Sequence, residues 1–385
     1  MGQGADTVRL AGHPPRDLAT VLQGAKRCPV VHTGEGDVVI TGHPEVVAAA
    51  GDPAVFSSRV SSHLQLPNGL DGEEHARWRA LIERYLERGV VDKRGPEFRE
   101  AARTVIAESL PGPRGEVDAV TDLGTRYAVR AMTTWLGWPR ALEGRLVAWV
   151  GDNAAATRSG DRARTAAVAA DFDRIIATVV EPRLTDDTTA EGDVTRQLIT
   201  DTSLGRPLHR EEIVSVLRNW TGGDLSSMAL CIGVILHRLS TDTALQEHLR
   251  FGVPQAEFEA IIDEILRLDS PFVSNRRVTT RPVTIGGVDL PEGQRVRLHW
   301  TAANLDPAAF GEPGEFRPDT HAAANLVWGT GPHVCPGRAL SMVEMRAFLD
   351  ELLAAAVVRP GSGPGTRATH PVGGWESLPV HLERC

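Results

Sequence analysis

The chain has 385 residues, of which 42% are hydrophobic and 24% are charged. This composition supplies enough apolar residues for a large core and excludes an intrinsically disordered chain. The formal net charge of −9 argues against nucleic-acid binding and against a general attraction to anionic lipids.

The N-terminus and the cysteines indicate the compartment. Residues 1–18 contain no apolar core of the kind that a signal peptide or an anchor needs. The longest apolar run, Met228 to Leu236, is too short to span a bilayer. The four cysteines are far apart, which supports neither a disulfide framework nor a structural zinc site. We expect a soluble cytoplasmic monomer that binds neither nucleic acid nor membrane.

The first elements follow from the spacing of apolar residues. Residues 1–22 are predicted to be a flexible N-terminal segment, and residues 37–52 to form a short strand, a turn and a helix. From about 73 to 270 the pattern is mostly helical. Residues 206–240 predict one long helix that opens with Pro207 and an acidic first turn. A helix of roughly 30 residues, about 45 Å long, and apolar on most sides belongs in the middle of a large helical domain.

The pattern changes after this helical region. Residues 276–306 contain short β-branched segments separated by Gly-Gly and Pro-Glu-Gly turns, which predicts small β-hairpins. A final helix is expected from about Gly337 to Ala356. The fold class is therefore mainly α with a minor β part, and we expect residues 1–385 to form a single domain.

The most informative stretch is WGTGPHVCPGRALSMVEMRAFL, residues 328–349. Cys335 lies directly before Pro336, a residue favoured at the first position of a helix. Its sulfur is therefore expected at a helix N-terminus, where free backbone N–H groups stabilise a thiolate. The glycines around it permit tight turns and close approach to a large flat group.

Several kinds of site are compatible with this cysteine. A nucleophile with His333 as its base lacks an evident orienting partner. A zinc site needs more ligands than His321, His333 and Cys335. A purely structural cysteine leaves the glycines unexplained, whereas a thiolate ligand to haem iron accounts for the loop, the sulfur and the glycines together.

Residues Trp328 to Gly337 resemble the haem-binding signature of the cytochrome P450 family, Phe-x-x-Gly-x-x-x-Cys-x-Gly, with Trp328 in the aromatic position. The resemblance implies that Cys335 is the axial iron ligand and that Trp328, Gly329 and Gly337 hold haem b. It also implies the helical prism of that family with its small β-hairpin region. Electrons would come from a ferredoxin and its reductase.

Other stretches agree with the resemblance. Glu264 and Arg267, three residues apart, match the Glu-x-x-Arg pair of the family, which implies a buried structural ion pair. The family completes this pair with a further arginine; Thr320 occupies that position here, and Arg317 is the candidate substitute.

Haem carries two propionates, which need cationic partners. By family position, His75, Arg79, Arg277 and His333 are the candidates. Each is also compatible with a solvated surface charge. The arginines expected near the thiolate side either dock an acidic electron donor or form a solvated face; they are Arg77, Arg79, Arg338 and Arg346.

The long helix resembles the family helix that crosses the haem. Its small-Gly-x-acid-Thr motif aligns with residues 221–225, so Gly223 gives space and Asp224 matches the acid that hands protons inward. An aspartate held by a neighbouring arginine or a polar network is the alternative for Asp224. Leu225 occupies the position of the threonine, and Ser226 points about 100° away around the helix.

The expected activity is that of a haem-thiolate monooxygenase or oxidase of natural-product biosynthesis. The leading hypothesis is oxidative cross-linking of aromatic side chains in a short peptide. Hydroxylation or O-demethylation of a small aromatic molecule is an alternative, and a non-catalytic haem sensor or recruitment protein is another. Residues 60–69 are expected near the substrate, together with Trp220, Leu225, Phe272 and Val273.

Overall fold

The computed structural model describes residues 14, 28–33, 36–185 and 192–385. The expected N-terminal segment, residues 1–22, lies outside the described residues apart from Pro14. In chain order, the helices are α1 His43–Gly51, α2 Gly72–Leu86, α3 Arg88–Val91, α4 Gly95–Ser109, α5 Arg126–Leu136, α6 Glu143–Ser159, α7 Arg162–Thr185, α8 Val194–Ile199, α9 Arg210–Thr241, α10 Thr243–Arg250, α11 Gln255–Leu268, α12 Trp300–Ala303, α13 Pro307–Phe310, α14 Pro318–His321 and α15 Arg338–Ala355.

The strands form small sheets beside the helices. They are β1 Val30–His32, β2 Val38–Ile40, β3 Phe56–Ser57, β4 Arg114–Asp118, β5 Ser274–Thr279, β6 Val283–Ile285, β7 Val288–Leu290, β8 Arg295–His299, β9 Ala356–Pro360, β10 Thr366–Arg367, β11 Trp375–Ser377 and β12 Pro379–Arg384. The largest sheet has the order β1-β2-β8-β5-β3, and β4, β12 and β9 form a second sheet. Strands β6 and β7 make one hairpin and β10 and β11 another pair.

Helix α9 lies at the centre of the helical part. It begins at Arg210, three residues later than Pro207, because His209 caps it and Glu212 completes the capping box. Its buried side chains belong to the main hydrophobic cluster, together with residues of α2, α4, α5, α7, α11 and α15. The helix runs without a break through Gly222 and Gly223, and its length agrees with the sequence expectation.

The mainly α class with a minor β part is confirmed. The strand, turn and helix expected at 37–52 correspond to β2 and α1, and the expected hairpins correspond to β5 to β8. The final predicted helix is α15, but strands β9 to β12 after it were not anticipated. They were missed because short edge strands with few alternating apolar residues give a weak pattern.

Within the described residues, no single helix is both long enough and apolar enough to cross a membrane. Helices α9 and α10 meet that criterion only as a pair, and they are bent by 110° where they join.

Candidate functional site

Cys335 lies in a tight loop between a 3-10 turn, Gly331–His333, and helix α15. Its backbone N–H donates to the carbonyl oxygen of Trp328 at 2.8 Å, which closes the loop. Gly331 has a φ of 72°, and a Cβ there would lie 2.5 Å from the carbonyl oxygen of Ala50. The loop therefore requires glycine at this position, both for its backbone conformation and for its packing against α1.

The surroundings of the Cys335 sulfur act on its pKa in opposite directions. Burial raises the pKa of the thiol, whereas backbone hydrogen bonds from Gly337 and Arg338 and the charge of Arg79 lower it. The two backbone donors are the first N–H groups of α15, as expected for a cysteine at a helix start. Burial has the larger effect, so the pKa of the thiol is raised overall, and a metal cation bonded to the sulfur would stabilise the thiolate.

Two adjacent cavities lie between the Cys335 loop and α9 and share part of their lining. The first has a volume of ≈ 260 Å³ and the second of ≈ 160 Å³. Both are lined by Asn68, Gly223, Asp224, Cys335 and Ser341. The sulfur and the centre of α9 therefore face the same space across the protein interior.

The lining of the first cavity shows which face of α9 points to Cys335. The residues of α9 in this lining are Gly223, Asp224, Ser227, Met228 and Cys231, which share one face of the helix because they recur at three- and four-residue spacing. A Cβ on Gly223 would meet no atom within 4 Å, so protein packing does not require glycine there. The space in front of this glycine is available for a bound group.

Leu225 and Ser226 lie elsewhere on the helix. Leu225 is fully buried within the main hydrophobic cluster, and the Oγ of Ser226 is buried without a hydrogen-bond partner among the described residues. On α9, the hydroxyl that lines the first cavity belongs to Ser227. Leu225, where the motif places the relay threonine, is not among the residues that line the two cavities, whereas Ser227, two residues later, lines the first.

Asp224 forms a buried pair with a second acid, Glu344 of α15. Burial raises the pKa of Asp224 from 3.8 to about 7, and a hydrogen bond from Glu344 opposes that increase. The pKa of Glu344 is raised well above its usual value by burial and then by the charge of Asp224. Glu344 is 0% exposed and has no other side-chain hydrogen bond in the described part of the chain. Two buried carboxyl groups that interact in this way are not both ionised, and the strong increase in the pKa of Glu344 makes Glu344 the one that keeps its proton.

Arg277 and His333 also line the first cavity, and His75 lies against His333. The rings of His75 and His333 lie 4.1 Å apart, and His333 contacts Asp71 at 3.3 Å and Ser58 at 3.2 Å. Burial lowers the pKa of His75, and burial together with the charge of His75 lowers the pKa of His333 to about 4. Both rings are therefore neutral near pH 7.

Arg277 and Arg79 are also buried beside this space. Among the described residues, the guanidinium of Arg277 bonds only to the carbonyl oxygen of Arg276, and burial lowers its pKa. Arg79 bonds to Glu83 at 2.7 Å. A buried guanidinium that lacks a carboxylate is costly unless an anion joins it.

Comparison with known proteins identifies this arrangement. Residues 258–368 match the sequence model of the Cytochrome P450 family. The chain is 28% identical over 325 residues to cyclomarin C epoxidase of Salinispora arenicola, covering 80% of each chain. These matches support a bacterial cytochrome P450.

One further relative agrees with this assignment, and two solved structures share the fold. The methyl-branched lipid omega-hydroxylase of Mycobacterium tuberculosis is 25% identical, with 83% of this chain and 77% of that one covered. A mutant of P450 EryK in complex with erythromycin B superimposes with a TM-score of 0.84 at 24% identity, over 96% of this chain and 95% of that chain. CxnD, described as a cytochrome P450 for C-S bond formation in chuangxinmycin biosynthesis, has a TM-score of 0.84 at 20% identity, over 99% and 98% of the two chains.

As a cytochrome P450, the protein is a monooxygenase-type oxidoreductase with haem b as its cofactor, and enzymes of this family typically receive electrons from partners such as ferredoxin. The cavity fits haem b on grounds of its own chemistry. The Nε2 atom of His75 is buried without a partner among the described residues, and Arg277 lacks a carboxylate within an ion-pair distance in the same part of the chain. Two propionates would satisfy both groups, and the open space at Gly223 would accept the ring.

The expected Glu264–Arg267 pair is present, and its third member is a histidine. Arg267 bonds to both oxygens of Glu264, at 2.7 and 2.9 Å, and both side chains are buried. The Nδ1 of His321 lies 2.7 Å from Glu264. The expectation that the Arg317 guanidinium completes the network is wrong, because that side chain pairs with Glu315; Arg317 contributes only its backbone N–H, at 2.9 Å from Glu264.

The remaining predicted positions are divided between the cavity wall and the interior. Phe272, Trp328 and Gly329 line the first cavity, and Trp220 and Gly337 line the second. Trp328 also donates from Nε1 to Asp263 at 2.6 Å, and Asp263 in turn pairs with Arg338.

Val273 is buried in the interior and is not among the residues that line these two cavities. From the loop 60–69, Pro67 and Asn68 reach the cavity wall.

Of the arginines proposed to dock an electron donor, three have partners within the chain. Arg79 pairs with Glu83, Arg338 with Glu259 and Asp263, and Arg346 with Asp350. These pairs reduce the charge available for an acidic partner.

Sequence reasoning missed several residues of the site. Glu344 and Ser227 both face Asp224 or the cavity, and Trp300 and Asn275 line the wall. Ser227 was detectable, because it lies four residues after Gly223 on the same helical face. Glu344 was not, because its partner is more than a hundred residues away in the sequence.

Proposed function

We propose that this cytochrome P450 oxidises an aromatic substrate at a haem bound between Cys335 and Asp224, and that the substrate is a short peptide whose aromatic side chains become cross-linked. Cys335 would be the axial ligand, and His75, Arg79, Arg277 and His333 would hold the propionates. When bound, haem b supplies the activation of molecular oxygen. The observation that carries the proposal is that Cys335 and the polar pair Asp224 and Ser227 face each other across the same largely apolar cavity.

The cavity wall suits an aromatic peptide. Phe272 and Trp300 provide ring surfaces in one cavity, and Trp135 and Trp220 in the other. The rings of Trp135 and Trp220 have centroids 5.1 Å apart, so an added aromatic side chain would join an existing cluster.

Polar groups in the wall are suited to peptide amides. The Nε1–H of Trp220 is buried and has no acceptor in the described part of the protein. A peptide carbonyl would supply the acceptor, and an unsatisfied buried donor otherwise costs about 1–3 kcal/mol. The amide side chains of Asn68 and Asn275 also line the cavity.

Asp224 and Glu344 would manage protons for this reaction. Because the pair keeps a proton next to the cavity at neutral pH, Asp224 can receive it from Glu344 and pass one toward the cavity. Ser227 would supply the relay hydroxyl on the cavity side of α9, two residues after Leu225, the position that the family motif suggested.

The redox balance distinguishes the two possible outcomes. In cross-linking, two bonds to hydrogen break and one bond between the aromatic groups forms, so the substrate gives two electrons and two protons. The donor gives two further electrons and solvent gives two further protons. Dioxygen thereby becomes two water molecules. In hydroxylation, one oxygen atom enters the substrate and the other becomes water, with two electrons from the donor and two protons from solvent. O-demethylation has the same balance, because the methyl group is hydroxylated and then leaves as formaldehyde. A ferredoxin with its reductase is the proposed donor.

The cavity holds two cysteines, which gives a matched test of the ligand. The reduced carbon-monoxide difference spectrum of the wild type should show the red-shifted band of a thiolate-ligated haem. Cys335→Ser should lose that band and Cys231→Ser should keep it, because burial raises the pKa of Cys231 and no positive group offsets it. Loss of the band in Cys231→Ser but not in Cys335→Ser would refute the ligand assignment.

The reaction class is tested by product mass. The enzyme, a surrogate ferredoxin and its reductase, and NADPH would be incubated with short peptides containing Tyr and Trp. Loss of two hydrogen atoms supports cross-linking, whereas gain of one oxygen atom favours hydroxylation. Turnover of small methoxyarenes with no turnover of any aromatic peptide would reject the peptide proposal.

A further inference from the structure

A recess beside the first cavity, which is called the inner cavity from here on, is lined mainly by arginines. We call it the arginine recess; its cations are Arg59, Arg162, Arg276, Arg277, Arg295 and Arg297. Asp37 is the one acidic residue that lines it, and its volume is ≈ 370 Å³. The recess therefore has a local excess of positive charge, although the chain as a whole carries a net charge of −9.

The sheet register places several of these cations on one face. Arg276 of β5 is the Cα partner of Arg297 of β8, and Val278 is the partner of Arg295. Residues two apart on a strand share a face, so Arg276, Arg295 and Arg297 lie on the same side of the sheet. Like charges directly opposite each other on neighbouring strands destabilise a sheet. The arrangement is therefore unfavourable until an anion lies between them.

The protein neutralises only part of this charge. Arg297 pairs with Asp37 at 2.8 Å, and Arg59 pairs with Glu74 at 2.9 Å. Among the described residues, Arg162, Arg276 and Arg295 have no carboxylate oxygen within 4.0 Å. Three guanidinium groups are thus available to a ligand.

The recess adjoins the inner cavity, because Arg277 lines both spaces. Arg59 directly precedes the loop 60–69, Val60 is the first residue of that loop, and the loop reaches the inner cavity through Asn68. A ligand that extends from the inner cavity along this side would meet the arginines at its far end.

The chemistry of the recess points to carboxylates. A guanidinium presents parallel N–H donors that match the two oxygens of a carboxylate. The cations come from strands β5 and β8, from the start of α7 and from the segment after β3, so they surround a chain segment with separate charges better than one compact anion. This favours the acidic end of a peptide over a single phosphate.

We propose that the arginine recess binds the carboxylates of the substrate, so that the substrate is an acidic peptide with its aromatic residues in the inner cavity and its carboxylates against Arg276 and Arg295. This inference rests on the proposed peptide function. To that function it adds the charge of the peptide and the residues that recognise this charge. The recess would also orient the peptide, because it would hold the acidic end away from the aromatic residues that are oxidised.

The test compares two probe peptides on the haem-loaded enzyme. Acetyl-Tyr-Leu-Trp-Glu-Glu with a free C-terminus would be compared with acetyl-Tyr-Leu-Trp-Gln-Gln amide. Calorimetry would measure each Kd, and the shift of the Soret band would report entry into the haem pocket. We expect the wild type to bind the acidic peptide at least about tenfold more tightly, a preference that added salt should reduce.

Two double variants isolate the recess. Arg276→Gln/Arg295→Gln removes two of the unpaired cations, and Arg114→Gln/Arg281→Gln removes two exposed arginines outside the recess, so the total charge is the same in both. The first should bind the two peptides within about threefold of each other, and the second should keep the wild-type preference. Thermal unfolding of each variant checks that the fold is retained.

The outcomes separate the inference from the proposed function. If the neutral peptide shifts the Soret band and the acidic peptide binds no more tightly, the inference is overturned while the peptide function stands. If neither peptide binds, citrate provides a second probe: binding of citrate that is lost only in the Arg276→Gln/Arg295→Gln variant supports a carboxylate site and rejects the peptide. A variant effect on the KM for ferredoxin, with unchanged peptide Kd, would assign the recess to donor docking and overturn the proposal.

Discussion

Replacing Glu344 with glutamine tests whether the buried acids of α9 and α15 share a proton. Glutamine has nearly the same shape and can still donate a hydrogen bond to Asp224, but it has no ionisable proton. The substitution therefore removes one titrating group without opening a cavity. Asp224→Asn removes the other group in the same way.

The magnitude follows from the pKa values. For Asp224, the rise from 3.8 to about 7 corresponds to about 4 kcal/mol, at about 1.4 kcal/mol for each pKa unit. The unfolded chain releases this proton near pH 4, whereas the folded protein keeps it until about pH 7. The folded state thus binds more protons in this window, and the free energy of unfolding falls as the pH rises. The contribution of protonated Asp224 to the free energy of unfolding is complete below about pH 4 and is lost as the pH rises past about 7.

Glu344 acts in the same direction, because its pKa is also raised. If it keeps its proton throughout pH 5–7, it lowers the free energy of unfolding by about 1.4 kcal/mol for each pH unit, or about 3 kcal/mol over the window. Glu344→Gln should remove that part. The variant should therefore lose less stability than the wild type between pH 5 and pH 7.

Two measurements check this expectation. The thermal midpoint of the haem-loaded protein would be followed from pH 5 to pH 8, and infrared spectra at pH 7 would record the carbonyl stretch of protonated carboxyl groups. The wild type should show that band and Glu344→Gln should weaken it. Glu351→Gln, on the same helix but ion-paired with Arg99 and Arg103, is the matched control and should leave the band unchanged. An identical band and an identical pH profile in wild type and Glu344→Gln would refute the shared proton.

The remaining predictions concern the cavity and the buried ion pair. Ser227→Ala should lower the product formed per NADPH consumed. Leu225→Thr should not restore a proton relay, and it should lower the free energy of unfolding by about 1–3 kcal/mol, because it places a hydroxyl in the core. Product analysis together with NADPH consumption distinguishes the two variants. His321→Ala should lower stability by about 1–3 kcal/mol, since the buried carboxylate of the ion pair loses a hydrogen bond, and calorimetric unfolding measures the change; an unaltered midpoint would contradict the assigned network. Gly223→Leu should reduce the ratio of Soret to protein absorbance because its side chain enters the cavity, while Gly222→Leu, outside the cavity lining, should not.

The sequence was most informative where one short segment carries the chemistry. The Cys335 loop could be interpreted from its own residues, because the cysteine, the proline and the glycines are consecutive. The buried Glu264–Arg267 pair was also predictable, since both residues lie on one turn of a helix. Each of these features depends on local geometry alone.

Features that depend on helix rotation or on distant contacts were harder to predict. A motif aligned by residue type put the relay position at Leu225, but α9 turns Gly223 and Ser227 toward the cavity. The third member of the buried ion pair was sought among arginines, yet a histidine reaches the carboxylate from α14. In both cases the type of side chain was a weaker guide than the direction in which the backbone presents it.

The loop at residues 60–69 is tied to the first half of α9. The N–H of Leu66 donates to Ser215 at 2.9 Å, Asn219 donates to the carbonyl oxygen of Leu66, and Asn68 donates to Asn219 at 3.2 Å. These bonds hold the loop against α9 beside a cavity wall to which Pro67, Asn68 and Asp224 contribute. A molecule that passed between the loop and α9 would have to break them, so its entry would also loosen the contact between this loop and the helix that carries Asp224.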